Sequence, residues 1–134
     1  MNYFKIIPIL IFTSLCYSQS EENYYNIIDS ISENRIESDI KKLVSFGTRH
    51  TLSDTLSNTT GIGAARRWIK KSFKDISTNC NNCLEVFYQK NYFVKNKRRL
   101  IKDVWINNVI AIQRGLVNPN RYIIMSGDID SRIS

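Results

Sequence analysis

Two aspartates alternate in the stretch Ser126-Gly127-Asp128-Ile129-Asp130-Ser131-Arg132, directly after the apolar run Tyr122-Ile123-Ile124-Met125. An apolar run bounded by turn residues reads as a buried strand. In α/β sheets the loops at the carboxyl ends of strands converge on the crevice where ligands bind. Two carboxylates placed there can act in concert, one meeting a hard or borderline cation while the other supports it from behind. Two solvated loop aspartates satisfy the same spacing, so the stretch by itself leaves both readings open.

Cys80 and Cys83 frame a second candidate, separated by two asparagines. A thioredoxin-like redox pair follows a strand and opens a helix, whereas here a helical pattern comes first and an extended one follows. Zinc on this pair needs two more ligands, and no second cysteine pair exists. The expectation is a local disulfide that staples the turn. His50 is the single histidine. No glycine-framed nucleophile accompanies it, so the expectation there is a loop histidine with ordinary hydrogen bonds rather than a Ser/His or Cys/His arrangement. Residues 95–102 hold five cations, Lys95, Lys97, Arg98, Arg99 and Lys102. They read as a solvated hairpin turn rather than a nucleic-acid or heparin patch.

The elements that must position these residues follow from periodicity. Tyr24, Ile27, Ile28 and Ile31 recur at near-helical spacing over residues 21–30. Ser32 is placed to cap a second helix whose apolar stripe is Ile36, Ile40, Leu43 and Val44, and which stops near Phe46-Gly47. Residues 48–60 are rich in hydroxyl and amide side chains, which compete for local backbone partners, and read as a surface loop. A third helix starts near Gly61 with Ile62, Ala65, Ile69, Phe73 and Ile76 on one stripe. Its Arg66, Arg67, Lys70, Lys71 and Lys74 read as a solvated cationic face, since only Trp68 could stack on a base. Residues 84–94 and 104–112 are rich in β-branched and aromatic types and predict an antiparallel pair of strands, followed by a turn at 115–120 and a third strand at 122–127.

The ends bound the compartment. Lys5, the apolar run from Ile6 to Leu15 and the exit Cys16-Tyr17-Ser18-Gln19 have the layout of a secretory signal peptide over residues 1–18, cleaved after Ser18. The run is about ten residues, half of what a membrane-spanning helix needs. Leu15 before Cys16 disfavours a lipoprotein signal, and no stable membrane anchor is expected. The chain carries 19 Lys plus Arg against 12 Asp plus Glu, and stays basic after processing. That balance favours solubility and weak attraction to anionic surfaces without naming a partner. Asn58-Thr59-Thr60 matches a glycosylation acceptor. A buried strand ending in an acidic loop passes its chain to a further element that covers the sheet. Only a few residues follow here, so the expectation is a truncated domain.

Four segments taken together resemble the N-terminal portion of the family-28 metallopeptidases, the di-zinc aminopeptidases with the glutaminyl cyclases as relatives. They are Phe46-Gly47-Thr48-Arg49-His50-Thr51, the stretch from Gly61 to Ile69, Asn108-Val109-Ile110-Ala111, and the stretch from Ile123 to Arg132. The resemblance implies an α/β fold in which N-terminal helices precede the first three strands of a mixed sheet in a three-layer domain, here residues 19–134. In that family the third strand ends in Gly-His-x-Asp-Ser, where the histidine binds zinc and the aspartate orients it. By position Asp128 takes the metal-ligand place, Asp130 the catalytic supporting place and Ser131 the serine. A carboxylate in the histidine's place changes ligand charge and softness and leaves Asp130 no imidazole to orient, so a variant zinc site and a decayed one both fit. The family's bridging aspartate, adjacent glutamates and later ligands lie beyond Ser134. The resemblance thus implies an exported zinc aminopeptidase acting on peptide substrates, or a glutamine cyclase, and a 134-residue piece that neither hydrolyses peptides nor binds zinc well. No nucleic acid is expected. The reading from another class is a small secreted binding module that uses its basic hairpin on anionic partners.

Overall fold

The computed structural model describes residues 21–96 and 100–131. The signal peptide assigned to residues 1–18, the hairpin cations Lys97, Arg98 and Arg99, and Arg132 lie outside the described residues. Three helices precede two strands: α1 Glu21–Asp29, α2 Glu33–Ser45, α3 Gly61–Asn79, β1 Leu84–Phe93 and β2 Val104–Gln113. None of the described helices is long and apolar enough to cross a membrane. The chain divides into two compact units, residues 1–39 and 40–134.

In the first unit α1 exposes Tyr24, Tyr25, Ile27 and Ile28. The predicted cap of α2 forms, with the Arg35 amide donating to Ser32 Oγ at 3.2 Å. This satisfies one of the N-terminal donors that a helix leaves without a partner.

In the second unit β1 and β2 pair antiparallel, Leu84 opposite Gln113 and Phe93 opposite Val104. Tyr92 and Trp105 face each other across the ladder with ring centres 5.1 Å apart. The turn beyond is organised by Asp103, which accepts from Tyr92 Oη and the Lys95 amide, each at 2.8 Å. Both bonds hold the Asp103 carboxyl below its ordinary range, the Lys95 amide being the larger cause.

Cys80 and Cys83 form the expected disulfide between α3 and β1. Asn81 and Asn82 inside it both have left-handed backbone, φ 55° and 61°, which asparagine tolerates better than most residues. Buried Ser77 spans the same turn, its hydroxyl donating to the Leu84 carbonyl at 3.0 Å and accepting from the Leu84 amide at 3.1 Å.

The third strand is a correction. Residues 122–127 are not a strand, and among the described residues this α/β chain has helices and one sheet of two antiparallel strands. Tyr122, Ile123, Ile124 and Met125 stand exposed. An apolar pattern disposes side chains on faces, but a strand exists only where a neighbour takes up its amides and carbonyls, and no described strand lies beside this run.

The core is small and sits at the start of α3. Phe46, Ala64 and Ala65 are buried, with Leu43 and Trp68 packed against them. The predicted stripe along α3 is unevenly used: Ile62 and Ala65 are buried, whereas Ile76 is exposed.

Candidate functional site

The loop over residues 47–60 is folded onto the first turn of α3 rather than lying loose on the surface. Thr60 at the N-cap makes no side-chain capping bond. The upstream chain supplies acceptors instead: Gly61 N–H donates to the Phe46 carbonyl at 2.9 Å, Ile62 N–H to Ser53 Oγ at 2.9 Å, and Gly63 N–H to the Asp54 carbonyl at 3.0 Å. Such donors otherwise form a ready anion site; here they are consumed internally. The loop can come this close because residues 61 and 63 are glycines. Gly61 has φ +76°, and a Cβ at either position would collide with the Asp54 or Thr55 backbone.

Arg67 closes the loop from the helix side. Its guanidinium donates to the Thr55 carbonyl at 3.0 Å, the Leu56 carbonyl at 3.2 Å, and the Ser57 carbonyl. Asp54 turns the chain beneath, accepting from the Leu56 amide at 2.7 Å and the Ser57 amide at 3.0 Å. The Ser57 and then the Leu56 bond hold the Asp54 carboxyl below its ordinary 3.8, opposed by slight desolvation and aided by Arg67. A folded value below the unfolded one contributes stability that is complete above the ordinary value and is lost as pH falls through the folded value. Asp54→Asn keeps an acceptor but cannot titrate. Urea midpoints followed from neutrality to below pH 3.8 should therefore fall less steeply in Asp54→Asn than in the parent.

The reading of α3's cations as a solvated face fails at two positions. Arg67 is the loop clamp just described, and Arg66 is only 8% exposed. Burial holds the Arg66 pKa below the usual guanidinium range, with Tyr88 acting against the shift and Arg67 for it. Lys71 remains at the surface, paired with Asp75.

The stretch carrying Asp128 and Asp130 is held by Arg49. The Arg49 amide donates to Ser131 Oγ at 2.8 Å, and its Nε to the Ile129 carbonyl at 2.9 Å. Its Nη1 reaches the Leu43 carbonyl at 2.7 Å and the Gly47 carbonyl at 3.1 Å. Leu43 lies in the last turn of α2, whose carbonyls have no helical partner, and a cation there is favoured by the helix dipole as well. One side chain thus joins the end of α2 to the aspartate segment. Residue pattern alone assigns Arg49 no role of its own; the signal that could have found it is an arginine just past a helix end.

Asp128 and Asp130 are exposed, with half-buried Ile129 between them. His50, half-buried on the neighbouring loop, uses Nδ1 to accept the Leu52 amide at 3.2 Å. Among the described residues no three His, Cys, Asp or Glu side chains assemble into a group able to hold a metal ion. The donor set at the aspartate segment therefore does not fit a zinc site by itself, which takes at least three protein ligands.

Known proteins resemble this chain over most of its length. The chain is 38% identical over 117 residues to a probable zinc metalloprotease of Pyrenophora tritici-repentis and 41% identical over 114 residues to one of Leptosphaeria maculans. Each similarity covers 85% of this chain and 26% of the relative. A probable zinc metalloprotease of Phaeosphaeria nodorum is 37% identical over 117 residues, covering 85% of this chain and 23% of its own length. The chain thus spans about a quarter of the curated relatives it matches. No family model matches it, and no solved structure does. Each of these relatives is named a probable zinc metalloprotease, so zinc is the metal of the proteins that the chain resembles.

Proposed function

We propose that this chain is the N-terminal part of an exported zinc aminopeptidase, in which the segment from Asp128 to Ser131 belongs to the metal edge and Arg49 anchors it. The observation that carries the reading is the similarity to probable zinc metalloproteases across 85% of the chain, at 38–41% identity over a quarter of the relatives' length. The aminopeptidase type rests on the resemblance of four ordered segments to the family-28 enzymes. Asp128 stands at the ligand position, and Asp130 at the position that supports it. Zinc, when bound in such an enzyme, polarises a carbonyl and activates water. In this chain the residues have narrower roles. Arg49 and Ser131 fix the backbone of the aspartate segment, and the end of α2 holds Arg49 through the Leu43 carbonyl. One ligand position with one supporter does not make a hydrolytic centre, so the 134 residues by themselves are expected to be inactive. The exposed run 122–125 also favours a surface that further structure covers, since exposed apolar patches mark contact sites.

The test has two arms. The processed chain, which should begin at Gln19, is assayed on aminoacyl chromogenic substrates with zinc, and so is the product of its reading frame carried to the length of the relatives. The expected result is no turnover from the first and chelator-sensitive release of N-terminal residues from the second. Zinc-dependent turnover by the 134-residue chain would overturn the inactive assignment. Cleavage at internal bonds, or cyclisation of an N-terminal glutamine, by the longer product would overturn the aminopeptidase type.

A further inference from the structure

The far end of the β1–β2 hairpin combines exposed apolar side chains with a dense positive charge. Beyond the last ladder pair, Phe93 with Val104, the Asn96 amide donates to the Leu100 carbonyl at 2.9 Å and Asn96 Oδ1 accepts from the Leu100 amide at 3.2 Å. The segments flanking this closure leave Val94 65% and Ile101 84% exposed. Next to them in the chain stand Lys95 and Lys102, both exposed. From Lys90 to Asp103 the sequence holds six cations and one acid. That acid, Asp103, is turned onto the hairpin itself, where it accepts from Tyr92 Oη and the Lys95 amide. One ladder pair behind Phe93 and Val104, the contacting rings of Tyr92 and Trp105 are both exposed.

We infer that the hairpin end docks reversibly on an anionic lipid surface, with Val94 and Ile101 entering between headgroups, Lys95 and Lys102 meeting lipid phosphates, and Tyr92 with Trp105 at headgroup level. Basic residues near a membrane are drawn to an anionic leaflet, apolar side chains beside them gain by leaving water, and Tyr and Trp favour the interface because one end is apolar and the other wet. A patch that further protein packs over keeps charge out of its centre. The exposed run 122–125 meets that description, with Arg121 the only cation in residues 116–127. The hairpin end does not, since its cations and apolar residues alternate. A nucleic acid or a sulfated polysaccharide would use the cations but leave Val94 and Ile101 in water; a lipid surface uses both. The contact involves none of the residues from 128 to 131, so its failure leaves the peptidase reading untouched.

The test is flotation of the processed chain with vesicles of phosphatidylcholine alone or with about 30 mol% phosphatidylglycerol. Partitioning should be at least about tenfold stronger on the anionic vesicles and should fall about tenfold between about 50 and 300 mM salt. Val94→Ser/Ile101→Ser, which keeps every charge, should weaken it about tenfold, and Lys95→Gln/Lys102→Gln by a similar factor. Ile123→Ser/Ile124→Ser should leave it unchanged. Lipids brominated in the acyl chain should quench the fluorescence of the bound chain, and Trp105→Phe should remove that quenching. All of these substitutions fall on exposed residues, and a thermal midpoint matching the parent's shows that each variant is folded. Equal partitioning on the two vesicle types overturns the inference. So does loss of binding in the Ile123/Ile124 variant, which would place the contact on the other apolar run. Vesicle binding that is unchanged by Val94→Ser/Ile101→Ser, together with equally tight retention on heparin, would mean a general polyanion surface and would also overturn it.

Discussion

Replacing Gly63 with alanine lowers the stability of this chain by about 3 kcal/mol, the upper part of the usual cost of overpacking. The backbone of Gly63 is not left-handed, so the loss is steric: the new Cβ would overlap the Thr55 carbonyl and the atoms behind it. The loop cannot step back at low cost. It is tied on one side by Gly63 N–H to the Asp54 carbonyl and Ile62 N–H to Ser53 Oγ, and on the other by the Arg67 clamp over Thr55, Leu56 and Ser57. Gly47→Ala is the control. Gly47 has φ +67° but open space around it, so alanine there meets backbone strain alone, about 1 kcal/mol. Urea unfolding of the two variants checks the contrast. Equal losses would show that the loop does not lie against α3 at this distance.

Arg49→Ala releases the aspartate segment. Three side-chain bonds from one guanidinium, to Ile129, Leu43 and Gly47, disappear together. Hydrogen bonds to charged groups contribute about 1.5–3 kcal/mol each when measured singly, but exposure and shared geometry keep such contributions from adding, so a total near 2–3 kcal/mol is expected. The local effect is larger than the global one. Amide exchange at Ser131, whose N–H donates to the Arg49 carbonyl at 3.4 Å, should quicken by at least about tenfold while the middle of α3 keeps its protection. Arg49→Lys retains the charge but cannot serve Leu43 and Ile129 at once, so it should resemble the alanine variant in exchange. Unchanged exchange at Ser131 in both variants would mean that the segment is held by something other than Arg49.

Much of the local structure is legible from residue order. The stripe Ile36, Ile40, Leu43 and Val44 with Ser32 ahead of it marks α2, and the cap forms as the residue types require. The change from helical to alternating pattern across Cys80 and Cys83 places α3, the disulfide and β1 within a residue or two of where they lie. The candidate site is legible only in outline. Asp128 and Asp130 stand out by spacing and by resemblance, but the residue that holds them in place is 79 positions upstream of the first. Nothing in local pattern connects two points so far apart.

The three helices, the hairpin and the stapled turn were therefore determined by the sequence itself, because period, capping and turn chemistry act between residues a few positions apart. The tertiary structure decided the rest. Residues 122–127 have the composition of a buried strand, yet stand unpaired, since a ladder depends on which backbone lies alongside. Arg66 and Arg67 are adjacent and alike in type, yet one packs into the buried start of α3 and the other clamps a loop. Adjacent helix residues point about 100° apart, and what each meets is set by elements distant in the chain. Burial of charge is a property of that meeting, not of the residue.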